Sequence, residues 1–291
     1  MALAAGLFVV LAVAVSSAGW WALVALPLAG VLTSAAGRTG NGTGSRAALA
    51  TTTVRDWCLL VLCATVPAAY LARSATPVAD LAVGYPAVAV AVLLVASAAD
   101  ALGARLPGRT PRWAAAAGLA LAAAFVAVCV AITPATPTLA EARPPTAGLL
   151  VAVVVALPLF AGLRGNRLVA AVVISLAVAA GALYQLGPVR LGLSPTSLRD
   201  VLAAADASAL TSLLVAVAVL AGLVGAVRCT GRLREAGERI AGTAGWSRPA
   251  VAAVVAACVA AALLGPVAAT YLAALASLAD VMRRLVARRA E

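Results

Sequence analysis

Residues 1–21 read MALAAGLFVVLAVAVSSAGWW. Apolar residues run to Val15, Ser16 and Ser17 interrupt them, and a second apolar run begins near Trp20. Three readings compete: a signal peptide, one long membrane helix, or a helix cut short. A signal peptide needs a basic segment ahead of its apolar core, and none precedes this one. A single helix over residues 2–36 would be about 35 residues long, more than a hydrocarbon core of about 30 Å accommodates. The stretch therefore reads as the outer half of a discontinuous first helix, a turn over residues 16–19, and then a second apolar helix.

The rest of the chain supports that choice of solvent. Of its 291 residues, 64% are hydrophobic and 11% charged, with a mean hydropathy of +1.08. A water-soluble domain of this size has no way to hide so much apolar side chain. Several windows of about 20 residues carry no charge, the pattern of a bilayer-spanning helix. The period-2 alternation of a membrane barrel is absent. The expected class is an all-α integral membrane protein.

Composition also excludes chemistry. All 21 basic residues are Arg, and the chain has neither Lys nor His. An imidazole base, a His-containing metal site, a Schiff-base lysine and a P-loop lysine are all ruled out. The spans hold no acid/base set, so no enzyme activity, cofactor or metal is expected. The net charge of +11 is carried by short loops between apolar runs, which reads as membrane orientation rather than nucleic-acid binding. Cys58, Cys63, Cys129, Cys229 and Cys258 form no CxxC pair and read as small hydrophobes.

Ten apolar runs are visible: 2–15, 19–36, 57–72, 81–99, 113–133, 147–163, 168–186, 209–227, 249–264 and 266–282. The last two would be over-long as one helix, and Gly265-Pro266 between them suits a turn. If the runs alternate in direction, seventeen arginines fall on one side and four (Arg73, Arg143, Arg190, Arg199) on the other. The positive-inside rule then places the arginine-rich side, with the basic tail 283–291, in the cytoplasm of a multi-pass cell-membrane protein. Asp56, Asp100 and Asp280 fall at run ends and read as boundary residues in contact with headgroups or a nearby Arg, as Asp56 with Arg55. GRTGNGTGS (37–45) reads as a flexible linker. Ser194 and Pro195 give N-cap and first-turn signals for a short external helix in LSPTSLRDVLAAAD. RCTGRLREAGERI reads as a helical, basic extension of the eighth run, with Arg234 and Glu238, and Glu235 and Arg239, at i,i+4 spacing.

The most informative interior stretch is LPLFAGLRGNR. Pro158, Gly162 and Gly165 interrupt the end of the sixth run. Such an interruption serves either as a bent helix end with a tight turn or as the kind of break that forms a transporter's substrate site.

Over LFAGLRGNRLVAAVVISLAVAAGALYQLGPVRLGLSPTSLRDVLAAA the chain resembles the amino acid–polyamine–organocation (APC) superfamily. Phe160-Ala161-Gly162 looks like the family's broken sixth helix, Tyr184 like its late Tyr in helix seven, and the segment after Ser194 like its external helix. The front, AAGLFVVLAVAVSSAGWWALVALPLAG, resembles the break in helix one, that helix's outer half, and helix two. The resemblance implies a single polytopic domain over 1–291: a 5+5 inverted-repeat (LeuT-like) bundle of about ten transmembrane helices, its first helix incomplete. The repeats would cover about 1–133 and 147–282. It further implies a permease for an amino acid or related amine or organic cation, coupled to H⁺ or Na⁺. By carry-over, Ala4, Ala5 and Gly6 would present backbone N–H groups to a substrate carboxylate, and Phe160, Ala161 and Gly162 would line the second break. The inner half of helix one, a coupling Lys in the fifth span and the last two helices of most members have no counterpart. These departures open a second expectation, a degenerate relative acting as a structural or partner-binding membrane protein.

Overall fold

The structure is a computed structural model, which describes residues 2–37, 46–72, 84–103, 112–131, 146–193, 196–204, 210–242 and 245–289. Among these the regular structure is entirely helical. Helix α1 is Ala2–Ala18, and a 3₁₀ turn, Gly19–Trp21, leads into α2, Ala22–Gly37. Then come α3 (Arg46–Ala72), α4 (Tyr85–Ala101), α5 (Arg112–Ala131) and α6 (Thr146–Phe160). The chain continues with α7 (Asn166–Leu193), the short α8 (Ser197–Ala204), α9 (Thr211–Ala241), α10 (Arg248–Leu263) and α11 (Pro266–Arg289).

Alanine, leucine and valine make these helices, since a backbone in an apolar medium must satisfy its hydrogen bonds within the segment. Their ends follow the Gly and Pro punctuation. Gly84 with Pro86 opens α4, Ser247 with Pro249 opens α10, and Gly265-Pro266 turns α10 into α11. Gly242 closes α9 in the left-handed region, its N–H donating to the Glu238 carbonyl.

Four stretches are long and apolar enough to cross a membrane: 9–37, α3, α7 and α9. The first runs through the bend at Gly19, whose φ is +57°. Helices α4, α6 and α10 are shorter and apolar. Leucines and valines face outward as well as inward; Leu94, Leu150, Val173, Leu220, Val255 and Leu275 are all exposed. An exterior of that kind suits lipid rather than water.

Two boundaries differ from the sequence reading. Ser16 and Ser17 stay helical, because their hydroxyls donate to the Val13 and Ala14 carbonyls, so the bend falls at Gly19 instead. Helix α3 begins eleven residues before its apolar run. The hydroxyls of Thr51, Thr52 and Thr53 bond back to the preceding turn and spare the backbone any competition. Helix α9 continues without interruption through the basic segment to Ala241, as its i,i+4 spacing predicts. Ser194 and Pro195, and the linker residues 38–45, lie outside the described residues.

Helix α1 is deeply embedded where its side chains are described. Its residues 9–15 are buried throughout, and it packs against α3, α6, α7, α9 and α11. The closest approach is between α3 and α9, which run antiparallel with Asp56 beside Arg232 and Pro67 beside Gly222. A Cβ on Gly222 would lie 2.3 Å from Pro67 Cγ and 2.7 Å from the Cys63 carbonyl oxygen. Small residues let these two backbones meet. Helices α2 and α7 are likewise antiparallel, with Gly30 against Val172 and Gly37 beside Arg164.

A candidate binding site at the arginine-rich end

Three helices that are distant in sequence deliver charge to one buried point. Arg55 sits on α3, and its guanidinium donates Nε and Nη2 to Asp56 Oδ1 and Nη1 to Asp280 Oδ2 on α11. Arg284 Nη2 reaches Asp280 Oδ2 at 2.9 Å, and Arg283 Nη2 reaches Oδ1 at 3.3 Å. Arg232 on α9 comes to 3.5 Å from Asp56. Arg55, Asp56 and Asp280 are all buried. Burial of an ion pair is tolerated when each charge has several partners, and here both carboxylates have at least two cationic partners. A second pair, Arg234 with Asp100 at 2.9 Å, ties α9 to α4, and Arg234 also pairs with Glu238. All three carboxylates that the sequence placed at run ends are thus bound to arginine.

Above the buried cluster lies a half-open cavity of about 270 Å³. Its walls come from the end of α2 (Thr33, Gly37), from α3, from the end of α6 and its turn, from α9 and from α11. Arg55, Arg164, Arg232 and Arg284 contribute positive charge, Asp56 and Asp280 negative charge. Ser277 on α11 adds a hydroxyl that is buried and has no hydrogen-bond partner.

The residues carried over from the family resemblance fall in different environments. Ala161 and Gly162 line this cavity. They belong to a tight turn in which Ala161 N–H donates to the Pro158 carbonyl and Leu163 N–H to Phe160, with Gly162 at φ +76° and Gly165 at +56°. The turn exposes Arg164 at the cavity wall. Phe160 is 0% exposed and packed in the core. Ala4, Ala5 and Gly6 are helical in α1, and their side chains lie outside the described residues. Among the described residues no member of α1 lines the cavity. Tyr184 is exposed on α7.

Elsewhere, the five cysteines are free, four of them buried. Among the described residues no group of three or more Cys, Asp and Glu side chains is placed to hold a metal ion. A second cavity of about 370 Å³ lies at the other end, between Ser16, Ser17 and Trp20 and the end of α7. Its residues carry no charged side chain, which leaves the arginine-rich end as the chemically distinctive site. Compared with known proteins, the chain matches no family model and no characterised relative.

The sequence missed the cluster as a unit. It paired Asp56 with its neighbour Arg55 but gave no signal that Asp280, 225 positions away, completes the same guanidinium. Only the aspartates at three run ends, Asp56, Asp100 and Asp280, hinted that run ends meet.

Proposed function

We propose that this chain is a polytopic secondary transporter of the permease type. In this reading ten apolar helices cross the cell membrane as two inverted repeats of five, with the arginine-rich end and the C-terminus in the cytoplasm. It moves an amino acid or related amine by alternating access, coupled to H⁺ or Na⁺. The observation that carries the reading is the half-open cavity. Helices from both halves of the chain wall it, and it reaches Ala161 and Gly162 at the interrupted end of α6. A cavity open at one end and bounded by a Pro/Gly-interrupted helix supports that reading, since transporters build their sites where helices are interrupted. The test is uptake of an amino acid panel into proteoliposomes with an imposed H⁺ or Na⁺ gradient. Gradient-dependent accumulation of one substrate is expected. No uptake, with no thermal shift from any ligand in the panel, rejects transport.

A second reading, a non-transporting structural or partner-binding protein, is favoured by one observation: Phe160, which the resemblance places at the substrate, is fully packed in the core. It predicts the negative outcome of the same assay together with co-purification of a membrane partner.

A further inference from the structure

We propose that the cavity at the arginine-rich end binds a phosphate-type oxyanion, either free or as the headgroup of an anionic lipid. The inference does not depend on transport. Four arginines and two aspartates line the cavity, so it carries two surplus positive charges among the described residues. Neither aspartate is available to a cation, since Arg55 bridges both and Arg284 holds Asp280 a second time.

The arginines, by contrast, retain donors. Arg284 commits only one terminal nitrogen, Nη2, to Asp280. Arg232 reaches Asp56 through one nitrogen at 3.5 Å, and its side chain is 52% exposed. Arg164 has no acidic partner among the described residues and stands on the turn at the cavity wall. Ser277 also lines the cavity but is 2% exposed, and its hydroxyl oxygen is buried, so the donors open to an anion are those of Arg164 and Arg232.

Charge and shape select the class of anion. A phosphomonoester carries about −1.5 to −2 at neutral pH, which matches the surplus. Planar guanidinium forks suit the tetrahedral oxygens of phosphate. Chloride and acetate, with one charge each, leave half of the surplus unmatched.

The full chain, delipidated in a neutral detergent, is titrated with inorganic phosphate, and separately with vesicles of phosphatidylcholine alone or with phosphatidic acid. Acetate serves as the control anion. Arg164 and Arg232 are both exposed, so Arg164→Gln and Arg232→Gln are expected to fold. Each should weaken binding about tenfold, the loss of one charge-assisted hydrogen bond, while Arg248→Gln, exposed and outside the cavity, leaves it unchanged. Saturable binding of inorganic phosphate that both variants weaken supports the site with a free anion as ligand. Binding confined to phosphatidic acid vesicles, weakened by the same variants, supports it with a lipid headgroup. The proposal is overturned by the absence of saturable binding in both arms. It is equally overturned if acetate binds as tightly, or if Arg248→Gln weakens binding as much as Arg164→Gln.

Discussion

Replacing Arg55 by Met removes the side chain that joins Asp56 on α3 to Asp280 on α11. The shape of the stem is kept and the charge is lost. Both carboxylates are buried, so each loses a partner that water has little room to replace. Two unit charges about 4 Å apart attract by about 4 kcal/mol at the effective dielectric of a partly solvated site. Removing one member of a buried pair costs about 3–5 kcal/mol. Arg283 and Arg284 still hold Asp280, and Arg232 stands near Asp56, which places the expected loss near the lower limit, about 3 kcal/mol. The measurement is unfolding of the detergent-solubilised protein, run as a double-mutant cycle with Asp280→Leu. The double variant should recover about 2 kcal/mol relative to the sum of the two singles, because the Arg55–Asp280 contact that each single breaks is lost only once. The loss should persist at about 1 M salt, since buried pairs are poorly screened. The reasoning is refuted if Arg55→Met costs under about 1 kcal/mol, or if the two substitutions add without coupling.

Other substitutions probe packing, accessibility and orientation. Gly222→Ala places its Cβ against the Pro67 ring and the Cys63 carbonyl, neither of which can rotate away. A loss of about 2 kcal/mol is expected from overpacking, despite the better helix propensity of Ala. Gly265→Ala meets nothing within 4 Å and should leave the unfolding midpoint unchanged; equal effects at the two sites would contradict the close α3–α9 approach. In the folded protein an apolar maleimide should label Cys258 first, the one thiol of intermediate exposure, and reach the other four only after unfolding in SDS. Mass spectrometry showing several modified thiols before unfolding would argue against the buried positions. A fluorescent protein fused to the C-terminus should fluoresce, and an alkaline phosphatase fused there should stay inactive, as the positive-inside rule requires. The opposite pair of results would reverse the orientation.

The sequence by itself determined the solvent and the segmentation. Charge-free runs of Ala, Val and Leu leave the backbone one way to satisfy its hydrogen bonds in an apolar medium, so each of the ten apolar runs has a helix over it, α8 being the one described helix outside them. Local spacing also determined the Arg234–Glu238 pair and the continuation of α9. Boundaries went astray where hydroxyls looked like breakers: Ser16, Ser17 and Thr51 to Thr53 satisfy themselves within the helix, a choice that composition does not reveal. The candidate site was legible only in fragments. Ala161, Gly162 and each boundary aspartate stood out one at a time. Which run ends meet is decided by helix packing, through contacts such as Gly222 against Pro67 and Gly37 beside Arg164. Those contacts are set by small residues and fit across hundreds of positions, and they leave no periodic signal. Tertiary structure alone therefore brought Arg55, Asp280 and Arg232 together, buried Phe160, and opened a cavity beside Arg164 and Arg232.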